Sequence, residues 1–253
     1  MIVKILLPAY NEENALPHLF EKIHNVKAKF KDSGTAPRFD LQILLVNDGS
    51  SDRTLEIGKG YQDRLGIELL SSYPNKGLAE TVKRGIIQGV KNMQDDDILV
   101  IMDADNSHQP DLIYRMIAKM EEGYDIVIAS RYCKGARVVG VTPYRRVLSR
   151  CASLVFRIVY PIKGVKDYTC GYRAYRVKMV KQCLKAYGDN FIEYPEGFVC
   201  MAEILIKASK LGSRFCEVPL TLRYDEKKSI SKMRVWKTAK ATIKLLFAHS
   251  LKR

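Results

Sequence analysis

Two aspartates stand close together in Met102-Asp103-Ala104-Asp105, directly after the apolar run 98–102. Where a buried strand bends into a loop, both carboxylates can turn toward one site. Paired acids in such a place are unfavourable unless something positive lies between them. A hard divalent cation with oxygen ligands, itself carrying a pyrophosphate, meets that need. Asp-x-Asp alone is common, and its position after a strand is what gives it weight. A second polar strand end follows the run 41–47, in Asn47-Asp48-Gly49-Ser50-Ser51-Asp52. Taken alone it is good turn chemistry, with Asp52 placed to cap a helix. A third is Pro8-Ala9-Tyr10-Asn11-Glu12, where a ring and an acid could stack on and hydrogen-bond a nucleobase. Three polar strand ends converging on one crevice define a site better than any of them singly.

The elements that must position these groups are legible in the hydrophobic pattern. Strands are predicted at 2–7, 41–47, 67–71, 98–102 and 125–129, and helices at 12–31, 52–64, 78–93 and 110–122, with Pro110 in a first turn. Such alternation predicts a mostly parallel sheet flanked by helices. Ligands of these sheets sit beyond the carboxyl ends of the strands, which is where the acids lie. The stretch 133–146 reads as a mobile basic loop. Segments 147–159 and 235–251 read as basic amphipathic helices, the second with Trp236 at its apolar edge.

The chain has 253 residues, enough for one large α/β domain, and its 47% hydrophobic content permits a substantial core. The formal net charge of +14 favours anionic partners: nucleic acid, acidic lipid headgroups or phosphorylated substrates. No aromatic-interleaved basic strand or recognition helix supports nucleic acid. The 6 cysteines are scattered without metal-ligand spacing and read as reduced, mostly core residues. No apolar run reaches the length of a membrane span, and the N-terminal run is too short for a signal peptide. These features predict a protein that is cytoplasmic or sits on the cytosolic side of a membrane.

The strand-end motifs, with Val46 preceding Asn47 and with Asn75-Lys76-Gly77, together resemble the family 2 glycosyltransferases of the GT-A fold. Ala129-Ser130-Arg131-Tyr132, Val165-Lys166-Asp167, Cys170-Gly171-Tyr172-Arg173-Ala174-Tyr175 and Ser231-Lys232-Met233 are similar to motifs of the dolichyl- and polyprenyl-phosphate mannose synthases. The resemblance runs in collinear order over nearly the whole chain. It implies a catalytic domain over 1–230 and a basic helix over 231–253. It implies that Pro8, Tyr10, Glu12, Val46 and Asp48 hold the nucleoside, that Asp103 and Ala104 contact the nucleotide, and that Asp103 and Asp105 bind Mg2+ or Mn2+. Three departures from the family pattern stand out. Ser107 occupies the position of a further metal ligand, ahead of His108 and Gln109. Asn47 replaces the first of two acids. Lys227-Lys228-Ser229-Ile230 replaces a glycine-rich approach to Ser231-Lys232.

The implied donor is a nucleotide-sugar, GDP-mannose first and a UDP-sugar next. The implied acceptor is a lipid phosphate in an anionic membrane surface, with the protein peripheral on the cytosolic face and held there by lipid or by a small membrane partner. Arg131, Arg145, Arg146 and Lys232 are candidates to clamp the anions, since guanidinium offers phosphate a bidentate partner. A phosphate acceptor is already ionised, so alignment and charge stabilisation suffice, with Asp105, Arg131 and Lys232 as the expected catalytic set. Attack from the face opposite the leaving diphosphate inverts the anomeric carbon. A soluble enzyme using a UDP-sugar and a hydroxyl acceptor would instead need a base, for which Asp167, Glu193, Glu196 and Glu203 are available.

Overall fold

Short runs of branched and aliphatic residues with no polar face, bounded by turn residues, suit strands covered on both sides. In the computed structural model, which describes residues 1–32, 39–194, 198–227, 240–242 and 244–246, those runs form the centre of the molecule. The first half alternates as expected: β1 (Ile2–Ala9), α1 (Leu16–Asp32), β2 (Asp40–Asp48), α2 (Thr54–Gly60), α3 (Gln62–Leu65), β3 (Ile67–Ser72), α4 (Leu78–Val90), β4 (Ile98–Ile101), α5 (Leu112–Glu121) and β5 (Ile126–Ser130). The second half adds β6 (Arg137–Val139), α6 (Pro143–Val159), β7 (Arg173–Arg176), α7 (Val177–Tyr187), α8 (Val199–Lys210), β8 (Phe215–Pro219) and β9 (Thr221–Arg223).

Seven strands make one sheet in the order β3-β2-β1-β4-β7-β5-β8. All neighbours are parallel except β7, which runs antiparallel to both β4 and β5. The GT-A arrangement is therefore present as a mixed sheet. The register pairs Pro8 with Val46 and Leu6 with Ile101, so the turns leaving β1, β2 and β4 stand on one rim. The chain order reverses across β1, with β2 on one side and β4 on the other. That is the topological switch point where open α/β sheets take their ligands.

Several local expectations change. The helix expected over 52–64 is two pieces, broken at Tyr61, and Gly66 ends the second in the left-handed conformation. Asp52 lies one residue outside the cap position, although its Oδ1 accepts the Thr54 N–H at 3.0 Å. Helix α5 begins at Leu112, which leaves Pro110 in the preceding turn. The stretch 133–146 is not one loop: it contains β6, paired parallel to β9, and the first turn of α6. Of segment 235–251, residues 240–242 and 244–246 are helical, and Ala241 and Leu245 are buried in the core. Ser231, Lys232, Met233 and Trp236 lie outside the described residues.

Helix α6 is amphipathic as expected, with its apolar stripe turned outward. Its apolar face of Val147, Leu148, Leu154, Val155 and Ile158 points away from the core, with Ile158 71% exposed and Val147 60%. Phe156 and Ser153 are its buried residues. The helical period identifies the stripe, but it does not say whether protein or something else covers it.

Candidate active site

The turns after β1 and β2 are stitched together on the rim. After β1, the Asn11 N–H donates to Ser50 Oγ at 3.0 Å and the Ser51 N–H returns to Asn11 Oδ1 at 2.8 Å. The Glu12 N–H donates to Thr54 Oγ1 at 2.7 Å and the Glu13 N–H to Asp52 Oδ2 at 3.1 Å. Asn11 can do this because it sits at φ 52, a conformation Asn tolerates better than most residues. Pro8 and Val46 are paired across β1 and β2, Tyr10 is partly exposed at the rim and Glu12 is buried beside it.

Asp48 is committed differently from the expectation. Its carboxylate accepts the Lys76 N–H at 2.8 Å, the Gly77 N–H at 2.9 Å and Asn75 Nδ2 at 2.9 Å. The acid thus organises Asn75-Lys76-Gly77 and lies at the N-terminal end of α4, where negative charge is favoured. Gly49 makes this possible, at φ +69 and with a would-be Cβ only 2.7 Å from Asn75 N. Asn47, in place of a second acid, donates from Nδ2 to Ser71 Oγ at 3.0 Å.

At the end of β4 the chain coils tightly. Asp105 Oδ1 accepts the Ser107 N–H at 3.0 Å and the Ser107 hydroxyl at 2.6 Å, and Asp105 Oδ2 accepts the Lys227 ammonium. The Asp103 N–H donates to His108 Nδ1 at 3.3 Å, and the His108 ring stacks on Tyr172 at 5.0 Å. Ala104 is buried between the two acids, and Asn106 is left-handed at φ 66. Asn106 Oδ1 is a buried oxygen with no hydrogen-bond partner among the described residues. Gly171 leaves room for Asp103, since a Cβ there would lie 3.3 Å from Asp103 Oδ1. Burial pushes the Asp103 carboxyl above the usual range, with the Asp105 charge adding to the effect and His108 and Lys227 opposing it. Burial also works against the charge on Asp105, but Lys227 and His108 outweigh it and hold that carboxyl low.

Arg131 follows β5 and is not an open anion clamp. Its Nε and Nη2 form a bidentate pair with Asp167 at 2.8 and 2.6 Å, and Nη2 also reaches Thr169 Oγ1 at 2.7 Å. Asp167 is fully buried and also accepts the Arg131 and Cys170 N–H groups at 3.0 and 3.1 Å. Burial alone would raise the Asp167 carboxyl, but the Arg131 guanidinium holds it below the carboxylate range. Glu203, also fully buried, accepts Lys207 Nζ at 2.6 Å and the Glu193 N–H at 3.0 Å. Glu193 pairs with the same lysine at 2.9 Å, and Glu196 lies outside the described residues. Arg145 reaches the Tyr224 hydroxyl at 2.9 Å, and Arg146 is exposed on α6. Lys227 is the site residue that sequence reasoning passed over. It was legible only as part of an altered approach to Ser231, and 122 positions separate it from Asp105.

A mostly parallel sheet with paired acids on its rim, at the switch point where such sheets take ligands, is the setting for the sequence comparisons. Residues 4–184 match Glycosyl transferase family 2, and the chain belongs to that family. It is 34% identical over 226 residues to a dolichol-phosphate mannosyltransferase of Pyrococcus furiosus, covering 87% of this chain and 56% of that one. It is 30% identical over 234 residues to a polyprenol monophosphomannose synthase of Mycolicibacterium smegmatis, covering 90% and 80%. A third relative, an undecaprenyl-phosphate mannosyltransferase of Micrococcus luteus, is 30% identical over 223 residues, covering 87% and 83%. The chain thus spans little more than half the length of the first relative and most of the other two.

Among solved structures, the mannosyltransferase PcManGT of Pyrobaculum calidifontis, in complex with GDP-Man and Mn2+, superposes with a TM-score of 0.59 at 16% identity. That match covers 99% of this chain and 64% of that one. TarS 1-349 of S. aureus, in complex with UDP-GlcNAc, gives 0.55 at 18% identity, covering 87% and 57%. These two likenesses are of fold alone.

Proposed function

We propose that the protein transfers a mannosyl group from GDP-mannose to a polyprenyl or dolichyl phosphate, inverting the anomeric carbon, at the cytosolic face of a membrane. The observation that carries the reading is the acid pair Asp103 and Asp105, set on the rim where the turns after β1 and β2 converge. The names of three relatives, each acting on a lipid phosphate, support the acceptor class.

The residues fit a divalent ion, Mg2+ or Mn2+. Two carboxylates of like charge share a buried turn with an unpartnered amide oxygen on Asn106. Among the described residues no third Asp, Glu, His or Cys joins the pair. Asp103 and Asp105 would hold the ion, and the donor's diphosphate would supply further oxygens. When bound, such an ion offsets the charge that develops on the departing nucleoside diphosphate.

The chain's own groups do the remaining work. Pro8, Tyr10, Glu12 and Val46 line the nucleoside side, and Asp48 fixes the neighbouring turn through Asn75 and Gly77. Arg131 positions the loop from Asp167 to Cys170 instead of gripping phosphate directly. No base is required, because a phosphate oxygen arrives ionised. The interior acids agree with that: Asp167 is engaged by Arg131 and Glu203 by Lys207. The outward apolar stripe of α6, flanked by Arg146, Arg150 and Arg157, suits the headgroup region of an anionic leaflet. Among the described residues no helix is long and apolar enough to cross a membrane.

Radiolabelled GDP-mannose, UDP-glucose and UDP-N-acetylhexosamine, each offered with polyprenyl phosphate in vesicles, test the reading by organic extraction of label. Mannosyl label should enter the lipid phase, and Asp105→Asn should reduce it by about 100-fold or more. Label appearing only in a soluble hydroxyl acceptor would replace this reading with the alternative.

A further inference from the structure

Lys227 lies inside the acidic turn. Both oxygens of Asp105 are engaged: Oδ1 by the N–H and hydroxyl of Ser107, and Oδ2 by the Lys227 ammonium. An ion that takes Asp105 as a ligand therefore meets Lys227 at Oδ2. Asp105 is 7% exposed and the Lys227 side chain 13%, so little water would screen an ammonium and a divalent cation placed side by side. The two cations exclude one another there.

The backbone around Lys227 is fastened, and its side chain is the part that can leave. The Arg223 N–H donates to the Ser107 carbonyl at 2.9 Å. Glu226 is gripped by Lys22 at 2.5 Å, Arg223 at 3.0 Å and Gln109 at 3.4 Å. A lysine rooted at such a point can swing its ammonium on a four-carbon stem without moving the chain.

We propose that Lys227 is an exchangeable counter-ion of the acid pair: the divalent ion displaces its ammonium from Asp105, and the freed ammonium then pairs with the donor's diphosphate. The inference rests on the reading of Asp103 and Asp105 as ion ligands. Exchange makes ion and nucleotide assist one another. The ion releases the lysine, the diphosphate gives it a new partner, and linkage requires the assistance to be mutual.

The measurement is Mn2+ affinity, by titration calorimetry, with and without GDP, for the parent chain, Lys227→Gln and Lys227→Arg. In Lys227→Gln, Mn2+ alone should bind about tenfold more tightly than in the parent, and the gain produced by GDP should shrink by a similar factor. Lys227→Arg keeps the charge and should behave as the parent. Acetylation of Lys227 in the parent chain, followed by peptide mass spectrometry, needs no variant and should accelerate when Mn2+ alone is present at saturation. Equal Mn2+ affinities in parent and Lys227→Gln, or unchanged labelling at saturating Mn2+, would overturn the exchange and leave the ion site intact. If the parent binds GDP yet takes no Mn2+ under either condition, the ion site itself is refuted and the exchange falls with it.

Discussion

Asp167 and Arg131 form a bidentate ion pair whose weight is in structure more than in contact with ligand. The carboxylate is fully buried and the guanidinium half-buried, and five donors converge on the acid: Nε, Nη2 and the N–H of Arg131 and the N–H groups of Thr169 and Cys170. Removing one partner of such a pair leaves an uncompensated charge, at a cost of about 3–5 kcal/mol. Arg131→Met should therefore lower the melting temperature by roughly 10 °C, read by calorimetry or circular dichroism. The sign of the pH dependence follows from the direction of the shift. Arg131 holds the folded Asp167 carboxyl below its unfolded value, so the pair's contribution is complete above the unfolded pKa of about 3.9 and is lost as pH falls below it. Asp167→Asn should flatten the acid limb of the melting-temperature profile below roughly pH 4. A profile parallel to the parent's would show that the pair does not govern acid stability. Arg131 sits in a motif, Ala129-Ser130-Arg131-Tyr132, whose importance was visible in the sequence. Its partner was not assignable, because several acids were available and spacing along the chain does not choose among them.

At the scale of elements, the turn after β2 and the start of α4 behave as one unit held by Asp48. Asp48→Ala removes a charged acceptor from two backbone N–H groups and one side-chain amide, and hydrogen bonds to a charge contribute about 1.5–3 kcal/mol each. The expected outcome is a lower melting temperature together with a higher KM for the donor. A raised KM with unchanged stability would mean that Asp48 contacts the nucleoside and does not brace the turn. The strands of the first half were legible because each is a continuous apolar run with punctuation at its ends. Strand β7 was not, for a physical reason. It is four residues long and reads Arg173-Ala174-Tyr175-Arg176, with the first arginine fully buried among carbonyls, a pattern neither alternating nor apolar. The acidic turn was found from Asp-x-Asp after a strand, and the convergence of the three turns followed from parallel topology. The lysine that joins it comes from a segment the topology argument does not place.

For the whole molecule, charge and shape point the same way. The net charge is +14, and α6 offers an outward apolar stripe beside arginines. Each well-placed basic residue contributes about 1 kcal/mol toward an anionic leaflet. Replacing Val147, Leu154 and Ile158 by Ser should abolish flotation with anionic vesicles at low salt and leave the fold intact, since none of the three is buried. Cys151 is a free, exposed thiol on the same helix and serves as an internal reporter. Vesicles should slow its reaction with a maleimide in the parent chain, and undiminished labelling would remove α6 from the membrane contact.

The inverted strand has a last consequence. Because β7 is antiparallel to β5, the chain leaves the sheet after Ser130 and comes back in at Arg173 on the adjoining strand, at the same rim. Everything in between, α6 included, is an excursion with both feet on one threshold. The middle of that segment, which carries α6, can lengthen or shorten while β1 to β4 keep their pairing and Arg131 and Asp167 hold its two ends. The fold thus separates what a transferase must preserve from what it is free to diversify. On the proposed reading, a lineage could change its lipid acceptor by rewriting one detour of the chain.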